Sequence, residues 1–378
     1  MTLQKNYRMP KKQAHRKKTE RIPATSWLAL RFLTLIFMAF PFFSCAQKAV
    51  KVTDSFNAMS TYVTVQVFSS SKDGKNLCAA AKNEILGIER VFSTTLPQSE
   101  VFKINHAAEN DVQISPQVKN LLDFSGEIHQ KTGELFNPAL YPVIFEWGFT
   151  TENYSVPTAE RIFELMPLCD FSSLEVSQDF VLHKKAGTQL DFGGIAKGYA
   201  GDTALDTLAR MGATAALVNL GGNVQFFGKK PDGSAWTIGI KNPWTGEPAC
   251  SLRMSAEGTT AVVTSGGYER YFTGSDGNRY SHIFDPRTGR PAQTDLESVT
   301  VVCEKGVYAD ALSTALFVMG KTAAIEFWQK TMAEESAQEN QFDFILMTND
   351  RKILYTDGLN PRLTLLYDFS DATLVTAQ

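Results

Sequence analysis

Residues 190–202 read LDFGGIAKGYAGD, and this stretch constrains the fold more than any other part of the chain. TQLDFGG reads as the end of a strand, and the spacing from 196 to 211 predicts a helix stopped by Gly212. Between them, Gly193 and Gly194 let the main chain approach another group closely. A strand that turns on two glycines into a helix aims free amides and the positive end of the helix dipole at one point. Lys197 could add a cation for a phosphate there. Asp191 could accept from a ribose, a base or a bound lysine. The same residues also describe a tight strand-to-helix turn with a surface lysine, and the stretch alone leaves both open. It is neither a Walker A loop, because Tyr199 follows Gly198 where Ser or Thr is needed, nor a G-x-G-x-x-G turn.

The rest of the chain mixes strands and helices. TYVTVQVFSS alternates and is β-branched, so it reads as a strand. CAAAKNEILGIERVFS puts Ala81, Ile85, Ile88 and Phe92 on one helix face. SPQVKNLLDFSGEIHQKTG is a second amphipathic helix, with Ser115 as N-cap, Pro116 in the first turn and Gly133 as its end. NPALYPVIFEWGF reads as irregular, and TAERIFELMPL as a short helix. AALVNLGGNVQFFG, AWTIGIKNP, TTAVVTSG, RYSHIFDP and ESVTVVC are strand candidates, and ADALSTALFVMG is a helix closed by Gly320. FDFILMTNDRKILYTDG reads as a terminal hairpin turning at Asn349 and Asp350. Without strict βαβ alternation, the expectation is α+β or a mixed-sheet α/β fold rather than a doubly wound sheet.

The first 45 residues stand apart. A basic start precedes FLTLIFMAFPFFSCAQK, whose apolar run is shorter than the roughly 20 residues of a membrane span. The pattern is that of an export signal, residues 1–45, followed by one domain over 46–378. FFSC resembles the lipobox of bacterial lipoproteins, with cleavage after Ser44 and lipid on Cys45, although Phe42 stands where an aliphatic residue is usual. An uncleaved signal anchor is the alternative. Of 37 Lys and Arg and 40 Asp and Glu, nine and one precede Cys45, so the chain from there carries a net charge of −11. Such a chain is a poor ligand for nucleic acid. Cys78, Cys169, Cys250 and Cys303 form no CxxC pair and no zinc spacing, and read as buried thiols.

Two further constellations carry chemistry. Asp310 and Thr314 are four apart, so both project from one helix face and offer a carboxylate and a hydroxyl. That is a partial shell for magnesium, or an aspartate near a helix start beside an ordinary threonine. In RYSHIFDPRTGRP, His282 could act as general base with Asp285 orienting it. Asp285 could equally be the first residue of a structural turn. His106, His129 and His183 lack polar neighbours in sequence, and His15 falls in the leader.

Taken in order, AMSTYVTV, ERVFSTTLPQSEVFKIN, TGELFNPALYPVIFEWGF, LDFGGIAKGYAGD, ALVNLGGNVQFFG, TSGGYERYF, YSHIFDPRTGRP and SVTVVCEKGVYADALSTALFVMG resemble the ApbE family of FAD:protein FMN transferases. The resemblance runs from about Phe56 to the end. It implies a mixed α/β fold related to the T-fold. It also implies an exported bacterial enzyme, which with the lipobox-like FFSC gives the expectation of a protein on the periplasmic side of a membrane, lipid-anchored through Cys45. The activity implied is magnesium-dependent transfer of FMN from FAD to a threonine hydroxyl of an acceptor protein, a membrane redox subunit, with release of AMP. By motif, Met59, Leu135, Phe136, Asn137, Asp191, Lys197 and Phe284 fall at flavin-nucleotide positions. Gly194, Asp310 and Thr314 fall at magnesium positions, Gly194 through its backbone oxygen, and His282 at the catalytic position.

The chain departs from the family pattern in three places. Thr95 stands where a tyrosine is common, FNPA replaces FDPT at Asn137 and Ala139, and MST replaces MGT at Ser60. Three other readings remain beside the transferase: an FAD pyrophosphatase giving FMN and AMP, a non-enzymatic exported FAD-binding lipoprotein, and a periplasmic assembly protein that binds no flavin.

Overall fold

Alternation of Val63, Val65 and Val67 with more exposed residues makes Thr61–Ser69 a strand with one fully buried apolar face. In the computed structural model, which describes residues 49–69, 73–255, 258–333, 341–366 and 372–376, this strand is second in a nine-stranded sheet. From edge to edge the strands are Val50–Ala58, Thr61–Ser69, Ala215–Leu220, Asn223–Phe227, Thr259–Gly266, Leu296–Cys303, Asp343–Thr348, Ile353–Thr356 and Ala372–Val375. Neighbours are antiparallel except the last pair, which is parallel. The expected mixed-sheet α/β fold is what forms. The leader and Cys45 lie outside the described residues.

The two faces of the sheet bury different cores, and the period of two shows in the sequence. Ala261, Val263, Val299, Val301, Phe344 and Leu346 point into the main core. There the helices Gly74–Phe92, Ala196–Arg210 and Gly306–Met319 pack. Val262, Val302, Ile345 and Met347 point the other way, onto a three-stranded sheet of Leu363–Leu365, Pro248–Met254 and Trp236–Lys241. A third, aromatic cluster gathers Trp147, Phe149, Tyr280 and Phe284.

Two tight hairpins mark one end of the sheet. Met59 and Ser60 connect the first two strands with φ of 52° and 57°. Gly221 and Gly222 connect Leu220 to Asn223 with φ of 61° and 96°. Two positive φ values in succession are the signature of a two-residue hairpin turn, which glycine adopts without strain. The hairpins sit side by side, because Val63 pairs with Leu220. A Cβ on Gly221 would lie 2.0 Å from Thr61 Oγ1.

Several sequence expectations change. The edge strand Val50–Ala58 was not apparent, because only Phe56 and Ala58 along it are buried. NPALYPVIFEWGF is not irregular: Pro138–Leu140 is a 3-10 turn and Tyr141–Glu146 a short helix with Pro142 in its first turn, where a missing N–H costs nothing. The helix Gly306–Met319 begins before ADALSTALFVMG and is followed by Lys321–Ala333. The hairpin of Asp343–Thr348 and Ile353–Thr356 is not terminal, since two strands follow it.

The helices Ala196–Arg210 and Gly306–Met319 approach until their backbones touch. A Cβ on Gly198 would lie 2.1 Å from the Gly306 carbonyl oxygen and 2.8 Å from Val307 Cα. No side chain can rotate away, so the helices would have to part. Gly198→Ala is expected to lower the unfolding free energy by about 3 kcal/mol in urea titration. A loss near zero would show that this contact tolerates separation.

Candidate active site

The glycine turn is reached without a strand. The Leu190 N–H donates to Asn105 Oδ1 at 2.7 Å, and the Leu190 carbonyl accepts from Asn105 Nδ2 at 2.8 Å. One amide side chain thus satisfies both main-chain groups, as a ladder partner would. The Asp191 N–H donates to Pro138 O at 2.8 Å. TQLDFGG is therefore an extended segment held by a side chain and a loop, which corrects the strand expectation. Beyond it, the Gly193 N–H returns to Asp191 Oδ1 at 2.7 Å, and Lys197 Nζ donates to Gly193 O at 3.3 Å.

Part of the helix start is already satisfied from within the chain. The Gly198 N–H donates to Asp310 Oδ2 at 2.8 Å, so a carboxylate from the second helix occupies the first turn. Asp202 returns the arrangement: it accepts from the Gly306 N–H at 2.7 Å and the Val307 N–H at 2.9 Å. Each helix caps the other. The Gly193, Ile195, Ala196 and Gly198 amides are thus engaged within the chain, and Asp310 is brought into the site.

Around that carboxylate the expected residues converge. A Cβ on Gly194 would lie 3.2 Å from Phe136 Cε2 and 3.4 Å from Thr314 Oγ1. Thr314 Oγ1 donates to the Asp310 carbonyl at 3.2 Å and lies 3.4 Å from Ser265 Oγ. Asp310 is only 4% exposed. Burial pushes its carboxyl above the usual carboxylate range, and the Lys197 charge, the Gly198 amide and Asn223 oppose that rise. Asp191 is raised in the same way, by burial against the Gly193 amide, Lys197 and Arg270. Lys197 is thus the common electrostatic neighbour of both acids and of His282.

His282 Nδ1 lies 3.1 Å from the Arg270 carbonyl oxygen. A carbonyl only accepts, so Nδ1 carries the proton and Nε2 keeps a lone pair. Loss of solvent, then the charge of Lys197 and finally that of Arg270, hold the imidazole down to about 4, against a favourable bond to the Arg270 carbonyl. Asp285 does not orient it. That carboxylate is bonded to Arg287 Nη2 at 2.7 Å and to the Arg287 N–H at 2.9 Å, so it is a turn residue.

The remaining expected residues divide. Leu135 packs half-buried against the main core, and Phe136 is buried with its carbonyl held by His129 Nδ1 at 2.8 Å. Asn137 is engaged at both ends: Oδ1 accepts from the Ala139 N–H at 2.8 Å and Nδ2 donates to Cys169 O at 2.9 Å. Met59 is on the hairpin turn, its N–H held by Glu89 Oε1 at 2.7 Å. Phe284 is buried against Trp147 and Phe149 in the aromatic cluster. The histidines without polar company in sequence find it in space: His183 pairs with Asp111 at 2.8 Å, His129 also meets Ser172, and His106 bonds Phe102 O.

Sequence reading missed two groups. Arg270 donates to Phe149 O and faces Asp191 and His282. Tyr141 is buried near Asp191, with its hydroxyl bonded to Thr150 and Thr94. Both lie in the matched motifs, but nothing in their spacing marks them. A cavity of about 470 Å³ lined by Gly267, Ser281, Leu296 and Phe317 includes none of Asp191, Lys197, His282 or Asp310. The site is therefore defined by converging groups and not by the hollow.

Most of the chain is similar to proteins of known family. The ApbE family matches residues 59–337. An FAD:protein FMN transferase of Klebsiella pneumoniae (strain 342) is 33% identical over 291 residues, covering 75% of this chain and 87% of the relative. The crystal structure of the ApbE protein from Thermotoga maritima superposes with a TM-score of 0.75 at 30% identity, over 83% of this chain and 99% of that one. The apo form of the Pseudomonas stutzeri flavinyl transferase ApbE gives 0.69 at 28% identity, over 80% and 92%.

The His282 environment is directly measurable. In an NMR pH titration its ring nitrogens should report the Nδ1–H tautomer and a midpoint near 4. A midpoint near the ordinary 6.5 would mean that the ring is solvated and the cations are remote.

Proposed function

This chain belongs to the ApbE family, and on that premise we propose that it transfers the FMN half of FAD to the hydroxyl of a threonine on an acceptor protein. The bond between the FMN phosphorus and the bridging oxygen breaks, AMP leaves with that oxygen, and the acceptor oxygen bonds to the phosphorus. The acceptor loses one proton. The observation that carries the reading is a neutral imidazole with a free Nε2 lone pair, sharing Lys197 as a cationic neighbour with the buried Asp310 and half-buried Asp191 carboxyls.

Magnesium, which the family resemblance implies, suits the donors. The Asp310 carboxylate accepts from the Gly198 N–H through Oδ2, with the Lys197 amide and Asn223 also against it, and its remaining lone pairs can meet a cation. Thr314 gives its proton to the Asp310 carbonyl, which leaves lone pairs on Oγ1, and Gly194 lies against that hydroxyl. The set is all oxygen with one carboxylate. No cluster of three His, Cys, Asp or Glu occurs among the described residues. Magnesium takes few protein ligands and completes its shell with waters and phosphate oxygens. Asp310, Thr314 and the Gly194 carbonyl would hold it, and when bound it withdraws charge from the phosphate oxygens.

The chain's own groups do the rest. His282 Nε2 takes the proton of the incoming hydroxyl. The Arg270 carbonyl keeps the ring in the basic tautomer. Lys197 and Arg270 offset negative charge on the phosphates. The Gly193 amide, Lys197 and Arg270 oppose the rise that burial imposes on the Asp191 carboxyl.

The test is incubation of the chain with FAD, Mg²⁺ and a threonine-bearing acceptor, read by mass spectrometry and AMP release. The expected result is an FMN adduct on the acceptor threonine. A stable FAD complex without AMP would sink the enzyme reading. His282→Ala should keep FAD binding and lower turnover about 100-fold or more. Asp310→Asn should abolish Mg²⁺-dependent transfer without lowering the melting temperature. A buried carboxyl with a raised pKa loses folding stability as pH rises past its unfolded value, and the amide escapes that loss.

The same reading places the chain on the periplasmic side, tethered by lipid on Cys45, next to a membrane redox subunit as acceptor. Palmitate should label the protein, and Cys45→Ala should remove the label. Label retained by that variant would exclude Cys45 as the anchor.

A further inference from the structure

Arg279–Ser281 pairs with Tyr271–Thr273 in a two-stranded ladder that leads directly into His282. Two main-chain bonds fix the parity of that ladder. The His282 N–H donates to Arg270 O at 3.1 Å, and the Gly274 N–H to Asn278 O at 2.9 Å. Bonded and unbonded pairs alternate along antiparallel strands, so Tyr280 bonds across to Phe272. The N–H and C=O groups of Arg279 and Ser281 then point away from Tyr271–Thr273. A partner for that second edge begins to form. The Ala292 N–H donates to Ile283 O at 2.8 Å, and Pro291 and Arg290 pair with Phe284 and Asp285. Beyond Ala292 the two segments separate. Among the described residues no ladder joins Arg279 or Ser281 to 293–296, where Thr294 O is taken by Asn349 Nδ2 at 2.9 Å instead.

The space between the segments is the cavity of about 470 Å³, with Arg279 and Ser281 on one wall and Gln293 and Thr294 on the other. That volume lies in the ordinary range of ligand sites, roughly 300–1,000 Å³. Its charges are already matched. Arg279 bonds Glu297 at 3.0 Å, and Asp295 accepts the Lys321 N–H at 2.8 Å and lies 3.9 Å from Lys321 Nζ. Among the described residues lining the cleft, no cation is left unpaired for a phosphate. What stays open is a strand edge, and an uncharged main chain complements it. A period of two also divides the side chains. Ser281 Cβ would lie 3.6 Å from a Cβ on Gly267, on the wall shared with Phe317, so His282 projects from the opposite face.

We propose that this cleft receives the threonine-bearing segment of the acceptor as an added strand along Arg279–Ser281. Main-chain bonds to the Arg279 and Ser281 groups hold the segment in register, as in strand addition at other sheet edges. The closed pair of Ile283 with Ala292 stops it beside His282. Alternate side chains of an added strand fall on the face that carries His282, and the threonine is one of these. The inference rests on the transferase reading given above, which requires a threonine hydroxyl at His282.

The probe is the acceptor protein labelled in the assay above, used with the full chain, FAD and Mg²⁺. Gln293 is exposed on the cleft wall, so Gln293→Trp fills the space without entering the core. That variant should raise KM for the acceptor about 10-fold or more, the equivalent of one or two main-chain bonds. Its FAD affinity and its kcat at saturating acceptor should match wild type. An unchanged KM in the folded variant would overturn the proposal. So would a loss of FAD affinity, which would make the cleft part of the nucleotide site. Amide hydrogen exchange on the wild-type chain gives a second readout, with the acceptor's threonine replaced by valine so that no transfer follows. Acceptor binding should slow exchange at the Arg279 and Ser281 amides and leave the Tyr280 amide, already bonded, as it was. No added protection at Arg279 and Ser281 overturns strand addition whether or not Gln293→Trp folds. Failure of the wild-type chain to label any acceptor would overturn the transferase reading itself, a result distinct from the others.

Discussion

The backbone contact of Gly198 with Gly306 lets two helices exchange carboxylates. Asp310 crosses to the Gly198 N–H, and Asp202 crosses back to the Gly306 and Val307 N–H groups. Neither helix has a local side-chain cap, since Ile195 and Lys305 make no such bond. Each N-terminus would otherwise leave buried amides unpaired, which is costly. The helices therefore lock in one register, and that register brings Lys197, Asp310, Thr314 and Gly194 together. The site's geometry is a consequence of how two helix ends are satisfied.

The sequence made some of this legible and hid the rest for identifiable reasons. Glycines and periodicity marked the turn and the helix Ala196–Arg210 to within a residue, because these are local signals. The spacing of Asp310 and Thr314 placed both on one face for the same reason. What the turn points at was not legible. Its amide meets a carboxylate 112 positions away, and no short-range pattern encodes such a pairing. The same holds for Asn105, which replaces a strand partner 85 positions from Leu190. Nearness in sequence also misled: Asp285 is close to His282 along the chain, yet the Arg270 carbonyl holds the ring.

The departures from the family pattern have structural meaning where the structure speaks to them. An aspartate at 137 would accept the Ala139 N–H as Asn137 does, but it could not donate to Cys169 O. The asparagine exchanges a charge for a second internal bond. Ser60 holds a left-handed turn position that a glycine would adopt without strain. Thr95 shares its hydroxyl with Ser93 on an exposed loop, so the chain offers no aromatic surface at that position.

Removing a carboxylate at 137 also bears on charge. Among the groups that converge, Asp191 and Asp310 oppose Lys197 and Arg270, and His282 is neutral at pH 7. With both carboxyls ionised, the set is balanced. A pyrophosphate brings two negative charges into it, and a half-buried site cannot hold that excess cheaply. One divalent cation restores neutrality, while a third carboxylate would have left the balance short again. The raised acids point the same way, because burial already outweighs the cations nearby. On the reading proposed above, cation and flavin nucleotide bind as a pair because neither alone leaves the site neutral.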